Sequence, residues 1–336
     1  MTFKEWMGKF FVWFLPLIFM VGALFVGRYT VTASDVFQSL LSLFHLNSQE
    51  LSSETLTVVL QLRLPRAIAG CFIGAALAAS GCAFQGVFRN PLVDSGLLGV
   101  SSGAGFGAAL SIILFAGQGA SYLSAFSFGL LAVALSYWVA RIYKTVPTVM
   151  LILGGTIVSS LFSALLSFLK YVADTESQLP TIVYWLMGSL SSIGYGDFWA
   201  LIPIALGLSI LLSMSWKINI LSMGDKEAQT MGVDVKINKV IIIISASLAT
   251  AGAVCMCGII GWIGLVIPHM GRMLVGNDNR RLMPISMAMG GAFMVLIDTI
   301  SRSITASEIP LGILTALIGA PFFIYLLKKT KGGGWK

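Results

Sequence analysis

The sequence predicts an all-α protein that crosses a lipid bilayer about ten times. Of its 336 residues, 57% are hydrophobic and only 10% are charged, whereas a water-soluble domain carries about 25% charged residues. The apolar residues are also gathered into long uncharged runs. Because one crossing needs about 20 apolar residues, this length accommodates roughly ten membrane helices and little else. A single membrane domain covering residues 1–336 is therefore expected, without a soluble catalytic domain.

The uncharged runs give the expected helices in chain order. They cover residues 10–27, 67–88, 95–140, 146–169, 198–216, 240–271, 282–297 and 309–327. The first run follows two lysines, as a secretory signal would, but it is too long for a typical signal core and is read as an uncleaved span. The third run is long enough for two spans, joined around residues 117–121.

The run 240–271 does not fit a simple crossing. Its 32 uncharged residues would make a helix of about 48 Å, too long for one crossing and too short for two. We expect one full span, a break at Gly258, Gly261 and Gly264, and then a half-length helix. Irregular backbone at membrane depth is tolerated only inside protein or beside a water-filled cavity, so the break should face the protein interior.

The basic residues predict the orientation of the chain. With the N-terminus in the cytoplasm, sixteen of the 21 lysines and arginines fall inside and five outside, namely Arg28, Arg63, Arg66, Lys170 and Arg302. This asymmetry satisfies the positive-inside rule and places both termini in the cytoplasm. The two longest external segments, residues 28–66 and 170–197, are expected to contain short surface helices.

The chain shows no residues for chemistry of its own. It lacks the GxxxxGK[ST] phosphate loop, which excludes ATP hydrolysis by that route. No nucleophile with a base and no metal-ligand cluster is visible, so neither a catalytic nor a metal-binding residue is predicted. Asp298 lies four residues before Arg302, a spacing at which the two can pair on one helix face, and we read this pair as structural. The net charge of +7 reflects orientation and gives no argument for nucleic acid.

The longest cytoplasmic loop, residues 221–239, mixes charged and apolar side chains between two glycines. Such a pattern predicts a short amphipathic helix, which suits docking into a groove on a partner protein. A solvated connector explains the pattern equally well. The residues concerned are Met223, Gly224, Asp225, Lys226, Glu227, Ala228, Met231 and Gly232.

Three external arginines run against the general charge bias. Arg63 and Arg66 lie three residues apart in QLRLPR, and Arg302 lies at the same external edge. Exposed guanidinium groups attract an acidic partner, while the alternative is that they extend to the membrane interface from helix ends. The common position of the three favours docking.

Three blocks of the chain, residues 62–105, 258–302 and 308–329, resemble the FecCD/BtuC-like family, the permease subunits of type II ABC importers. The resemblance implies ten helices and a homodimer that encloses the translocation path. It also implies two cytoplasmic ATPase subunits, which bind ATP and Mg²⁺, and an extracytoplasmic substrate-binding protein. The chain itself is then neither an enzyme nor a cofactor carrier, and it lies in a bacterial or archaeal cytoplasmic membrane.

The resemblance also implies roles for particular residues. Arg63, Arg66 and Arg302 would face glutamates on the two lobes of the binding protein, and the segment from Met223 to Gly232 would be the coupling helix. The short eighth helix would cover residues 265–273. The cytoplasmic gate would lie in the connection containing Thr145, Pro147, Thr148, Val149 and Met150.

The sequence does not determine which cargo is carried. Ferric siderophore is favoured because it is the commonest cargo of the family, and haem, cobalamin, molybdate and tungstate are alternatives. An ion-coupled secondary transporter is a rival of a different class, which would need repeated halves and ionisable residues at mid-membrane, and neither is visible. A structural or receptor-like membrane protein is the remaining rival.

Overall fold

The computed structural model describes residues 3–44, 46, 51–115, 121–141, 148–305 and 307–329. These residues form α-helices, the π-helical segment Thr57–Arg63, the 3₁₀-helical segment Tyr195–Ala200 and irregular segments, and they contain no strand. The helices are α1 Phe3–Phe25, α2 Ala33–Ser42, α3 Ser53–Leu56, α4 Leu64–Phe88, α5 Val100–Phe115, α6 Ser121–Ala140, α7 Thr148–Val172, α8 Gln178–Met187, α9 Leu201–Met223, α10 Asp225–Thr230, α11 Val235–Cys257, α12 Ile263–Val275, α13 Asn279–Ile304 and α14 Leu311–Lys329.

The predicted set of membrane helices is confirmed. Among the described residues, six helices are long and apolar enough to cross a membrane, and four shorter apolar helices lie within α1, α5, α12 and α14. Together they make the ten that the uncharged runs predict. The segments predicted to be external also contain the expected short helices, α2, α3 and α8.

Helix α4 forms the centre of the bundle. Most of its residues are buried, and it packs against α1, α9, α11, α12 and α13. Close approach in a membrane depends on small residues, and α4 supplies them. Gly74 lies against the backbone of Gly290 in α13, and Gly81 lies against the backbone of Gly264 in α12. The glycines therefore fix the distances between the central helices.

The predicted break in the run 240–271 is present at residues 258–262, but Gly264, which was predicted to belong to the break, lies in the first turn of α12. Helix α11 ends at Cys257, and α12 begins at Ile263 and runs for 13 residues, about 20 Å. The carbonyl of Cys257 accepts a hydrogen bond from the backbone N–H of Ser189 at 2.9 Å, and Gly258 lies against the backbone of Trp185. The break is thus surrounded by protein, as expected.

The bundle has two distinct ends. At one end, Arg28, Arg63 and Arg302 line a common cavity, which brings together the C-terminal ends of α1 and α13 and the N-terminal end of α4. At the opposite end, Asn219 of α9 donates a hydrogen bond to Asp278, just before α13, at 2.6 Å. All three arginines were predicted to be external, so the first end is the external one in the predicted orientation.

Candidate functional sites at the two ends of the bundle

An arginine-lined cavity of about 270 Å³ lies at the external end. The three arginines predicted for docking all line it, and so do residues that sequence reasoning did not select. The charged side chains that line the cavity are Arg28, Arg63, Arg66, Arg302 and Glu308. The structure therefore brings the predicted docking residues together in space.

Arg66 is held by two carboxylates. Its Nε and Nη2 donate to Oδ1 of Asp298 at 2.8 and 2.7 Å. Its Nη1 and Nη2 donate to the carboxylate of Glu308 at 2.9 and 2.7 Å. Asp298 also lies 3.7 Å from Nε of Arg302, which confirms the pair predicted from their spacing. Paired, buried charges of this kind are stabilised by each other and costly to separate.

Arg63 and Arg302 bind the end of α1. Arg63 donates from Nη1 to the carbonyl of Leu24 at 2.6 Å and from Nη2 to the carbonyl of Tyr29 at 2.5 Å. Arg302 donates to the carbonyl of Ala23. The last carbonyls of a helix have no partner within it, and cations near them interact favourably with the helix dipole. These two arginines therefore cap the C-terminus of α1.

The expectation that these guanidinium groups are exposed is wrong. Arg63, Arg66 and Arg302 are 4, 8 and 9% exposed, because each is engaged by groups of the same chain. Arg28, in contrast, is exposed and donates to the carbonyl of Thr305. The positive-inside count already placed Arg28 outside, and that signal could have selected it. Whether Arg63, Arg66 or Arg302 binds a partner stays a prediction.

Glu308 lies between α13 and α14 and had no signal in the sequence. Burial alone would raise its pKa, but the hydrogen bonds and the positive charge of Arg66 outweigh burial and lower the pKa below its ordinary value. Glu308 therefore remains ionised at neutral pH. As a result, the carboxylates of Asp298 and Glu308 together balance part of the positive charge of the cavity.

The loop predicted to be cytoplasmic contains the predicted short helix. Helix α10 occupies Asp225–Thr230 between Gly224 and Gly232, whose φ angles of +141° and +77° lie in the region that favours glycine. Met223 and Met231 flank the helix and are 62 and 55% exposed, whereas Ala228 is fully buried. The helix thus sits on the bundle and presents two apolar side chains outward, together with the exposed side chains of Lys226 and Glu227.

Lys239 joins three elements at this end. Its Nζ lies 2.7 Å from Oδ2 of Asp225 in α10 and 3.3 Å from Oγ1 of Thr148 at the start of α7. Lys239 itself belongs to α11 and is 6% exposed. Sequence reasoning did not select it, because nothing in the pattern separates it from the other cytoplasmic lysines.

The predicted gate region is only partly visible. Thr148, Val149 and Met150 form the first turn of α7, and Val149 is exposed. Thr145 and Pro147 lie outside the described residues. The hydrogen bond from Lys239 to Thr148 places Thr148 in direct contact with the lysine that holds α10.

Comparison with known proteins identifies the family. The model of the FecCD transport family matches residues 15–329. The chain belongs to the FecCD transport family. It is 41% identical to the molybdate import system permease protein MolB of Haemophilus influenzae over 95% of both chains. It is 42% identical to the cobalamin import system permease protein BtuC of Halobacterium salinarum, over 82% of this chain and 74% of that one.

The same family appears among solved structures. An inward-facing structure of an ABC transporter assigned to the metal-chelate type superposes with a TM-score of 0.84 at 40% identity, covering 96% of this chain and 98% of the other. This FecCD chain is thus a multi-pass membrane permease of the type II ABC importer class, as the resemblance implied. Its FecCD relatives are named for different cargoes, so membership alone does not select one.

Proposed function

We propose that two copies of this chain form a translocation path driven by two ATPase subunits that attach at α10. Family membership supports the import function. We infer the copy number, the attachment points and the cargo. ATP and Mg²⁺ bind on the ATPase subunits, and this chain carries no cofactor. A substrate-binding protein delivers the cargo at the arginine-lined end. The assembly lies in a bacterial or archaeal cytoplasmic membrane with both chain termini inside.

The geometry of α10 carries the proposal. A short helix with a buried alanine beneath it and two exposed methionines beside it, Met223 and Met231, offers apolar anchors to a groove. In contrast to a solvated connector, α10 is bound to the bundle by the ion pair between Asp225 and Lys239. A force applied to α10 would therefore reach α11 and, through Thr148, the start of α7.

Co-purification tests the attachment point. We expect replacement of both Met223 and Met231 by Asp to abolish co-purification with the ATPase subunit, because the groove would have to take up two charges. The matched control is Phe37→Asp, at a residue of α2 on the external side that is also 62% exposed. It should leave the complex intact. Unchanged binding by the methionine variant would contradict the attachment at α10.

Reconstitution separates this function from its rivals. Uptake into proteoliposomes should require the chain, the ATPase subunits and ATP. Uptake driven by an ion gradient without any ATPase subunit would instead favour the secondary transporter. A chain that never moves cargo in any combination would favour the receptor-like alternative.

The burial of Arg63, Arg66 and Arg302 affects how a binding protein would dock at the cavity. We propose that carboxylates of the binding protein first meet Arg28, the exposed arginine of the cavity, and reach Arg63, Arg66 and Arg302 only when partners inside the chain are exchanged. Arg28→Glu should reduce binding-protein-stimulated ATPase activity without affecting folding. The three buried arginines replaced by Glu should also abolish stimulation, but with a loss of stability. Full stimulation of both variants, with the ATPase still bound, would refute docking at this cavity.

For the cargo, we propose a metal oxyanion or a metal chelate, with molybdate and tungstate tested first. The support is the relative named for molybdate import, which matches 95% of both chains. Ferric siderophore, expected from the resemblance, is the second candidate, and the similarity to a metal-chelate type transporter supports that class. Titration of the cognate binding protein with molybdate, tungstate, a ferric siderophore, haem and cobalamin discriminates among them.

A further inference from the structure

An apolar groove of about 410 Å³ lies between α6 and α11 and shares no lining residue with either candidate docking site. Its floor is formed by the buried side chains of Val133, Ile243 and Ser247. Its rims, Ala134 and Ile244, are exposed. A surface of this kind is suited to an extended hydrocarbon chain, but apolar character alone does not select the occupant.

Two cations extend the groove at one end. Tyr137 lines the groove on α6, and the backbone N–H of Arg141 donates to the carbonyl of Tyr137 at 3.1 Å, so the helical turn continues to Arg141. On α11 the lining begins at Val240, and the residue four positions earlier is Lys236. Residues four apart lie on the same helix face. Arg141 and Lys236, both exposed, therefore follow the groove on its two walls at the same end.

The depth of the groove matches one leaflet. From Val240 to Leu248 it extends about 12 Å along α11, and half of the hydrocarbon core is about 15 Å thick. The end with the two cations is also the end that carries α10, because Lys239 lies there and pairs with Asp225. In the proposed orientation this end faces the cytoplasm, where the leaflet surface is negatively charged.

We propose that this groove binds one acyl chain of an anionic phospholipid of the cytoplasmic leaflet, with the headgroup phosphate between Arg141 and Lys236. Charge complementarity selects this occupant, since an anionic headgroup satisfies two cations that a zwitterionic one satisfies less well. A second copy of the chain is a poorer occupant because it would have to remove two exposed cations from water. The site rests on the proposed orientation and is independent of the cargo and of ATP.

Lipid binding to the full-length purified chain tests this site. Native mass spectrometry would compare retention of phosphatidylglycerol and phosphatidylcholine with identical acyl chains. We expect phosphatidylglycerol to bind about thirtyfold more tightly, given the contribution of two basic residues near a membrane surface. Replacing both Arg141 and Lys236 by Ala should remove this preference. Equal binding of the two lipids by the wild-type chain would overturn the proposal.

Matched controls separate the groove from the general surface. Ala134→Phe fills the rim and should abolish the bound lipid. Leu131→Phe, at an exposed position of α6 outside the groove, should not. Replacing both Arg280 and Arg281 by Ala removes the same charge from the start of α13 and should preserve the preference. Loss of the preference in that control, or an unchanged lipid in Ala134→Phe, would contradict the site.

Two further experiments test the occupant and the leaflet of the groove without measuring transport. Ala134→Cys would form a copy-to-copy cross-link if a second chain covered the groove, and that result would overturn a lipid occupant. Labelling of Lys226→Cys from the outside would place the basic end in the other leaflet and overturn the assignment to the cytoplasmic leaflet. Neither readout requires uptake, so the lipid site and the import function can fail separately.

Discussion

At the scale of single residues, the external charge cluster depends on Asp298. This carboxylate binds Arg66 at 2.7 Å and lies close to Arg302. Removing one partner from a buried ion pair costs about 3 to 5 kcal/mol, because a charge is left buried without compensation. We therefore expect Asp298→Asn to lower the free energy of unfolding by about 3 kcal/mol, measured by thermal or denaturant unfolding in detergent.

The control is Glu54→Gln, at an exposed acidic residue on the same external side. Exposed substitutions away from special features usually change the free energy of unfolding by no more than about 0.5 kcal/mol. If the two variants have the same free energy of unfolding, the cluster contributes no more than an ordinary surface charge, and the prediction that it stabilises the fold is wrong.

Glu308 predicts how stability depends on pH. Its folded-state pKa is depressed below the ordinary 4.5, despite burial, by hydrogen bonds and charge from Arg66. A group with a depressed folded pKa contributes stability that is fully present above its unfolded pKa and is lost as the pH falls through its folded pKa. We expect the melting temperature to fall below about pH 4.5. The fall should be smaller in Glu308→Gln, and an identical acid profile in both proteins would contradict the role of Glu308.

Sequence reasoning reached only the local part of this cluster. The four-residue spacing of Asp298 and Arg302 gave their pairing, because a helix brings those positions together. The stronger partner, Arg66, lies 232 positions away, and only the packing of α4 against α13 brings it there. The same limit explains why the arginines were expected to be exposed. The carbonyl partners of Arg63 and Arg302 at the end of α1 carry no signal in the side-chain pattern.

At the scale of elements, the contact between α4 and α12 predicts a second sensitive position. A Cβ at Gly81 would overlap the carbonyl oxygen of Gly264, which is backbone and cannot move aside alone. Overpacking typically costs about 1 to 3 kcal/mol, and a rigid backbone contact belongs at the upper end. We expect Gly81→Ala to lower the melting temperature clearly. Gly22→Ala is the control, since a Cβ at Gly22 meets nothing within 4 Å.

Gly22→Ala should be neutral or slightly stabilising, because alanine is favoured over glycine in helices by up to about 1 kcal/mol. Equal melting temperatures for the two variants would show that α12 adjusts easily.

The break before α12 could be predicted because it follows from length alone. The partner of α12 could not, since many glycines share the same small-residue pattern and the sequence does not say which two meet.

At the scale of the whole molecule, the orientation is open to direct test. Asp174 lies in the segment 170–197, which is predicted to be external, and Lys226 lies in α10; both are exposed. In intact cells or right-side-out vesicles, a membrane-impermeant thiol reagent should label Asp174→Cys, whereas Lys226→Cys should react only after permeabilisation. The wild-type chain is the background control, because Cys82, Cys255 and Cys257 are buried and the partly exposed Cys71 is present in every variant. The reverse labelling pattern would overturn the positive-inside assignment.

The contacts of Lys239 predict how a movement of α10 is transmitted to α7 and α11. Its Nζ contacts both α10 and the start of α7, through Asp225 and Thr148. If this contact transmits the movement of the ATPase subunits, Lys239→Met should leave those subunits bound but uncouple them from transport. Coupling free energies between sites typically correspond to factors of about 5 to 150. We expect cargo uptake per ATP hydrolysed to fall at least about fivefold.

The test of Lys239 needs readouts that a loss of stability alone would not reproduce. Lys239→Arg keeps the charge and should restore most of the coupling, whereas Arg281→Met, at an exposed basic residue of the same end, should leave it unchanged. Asp225→Asn removes the acid on α10 and should uncouple transport in the same way. If Lys239→Met transports normally, or if it fails only because the ATPase subunits dissociate, then α10 acts through its apolar contacts and not through this ion pair.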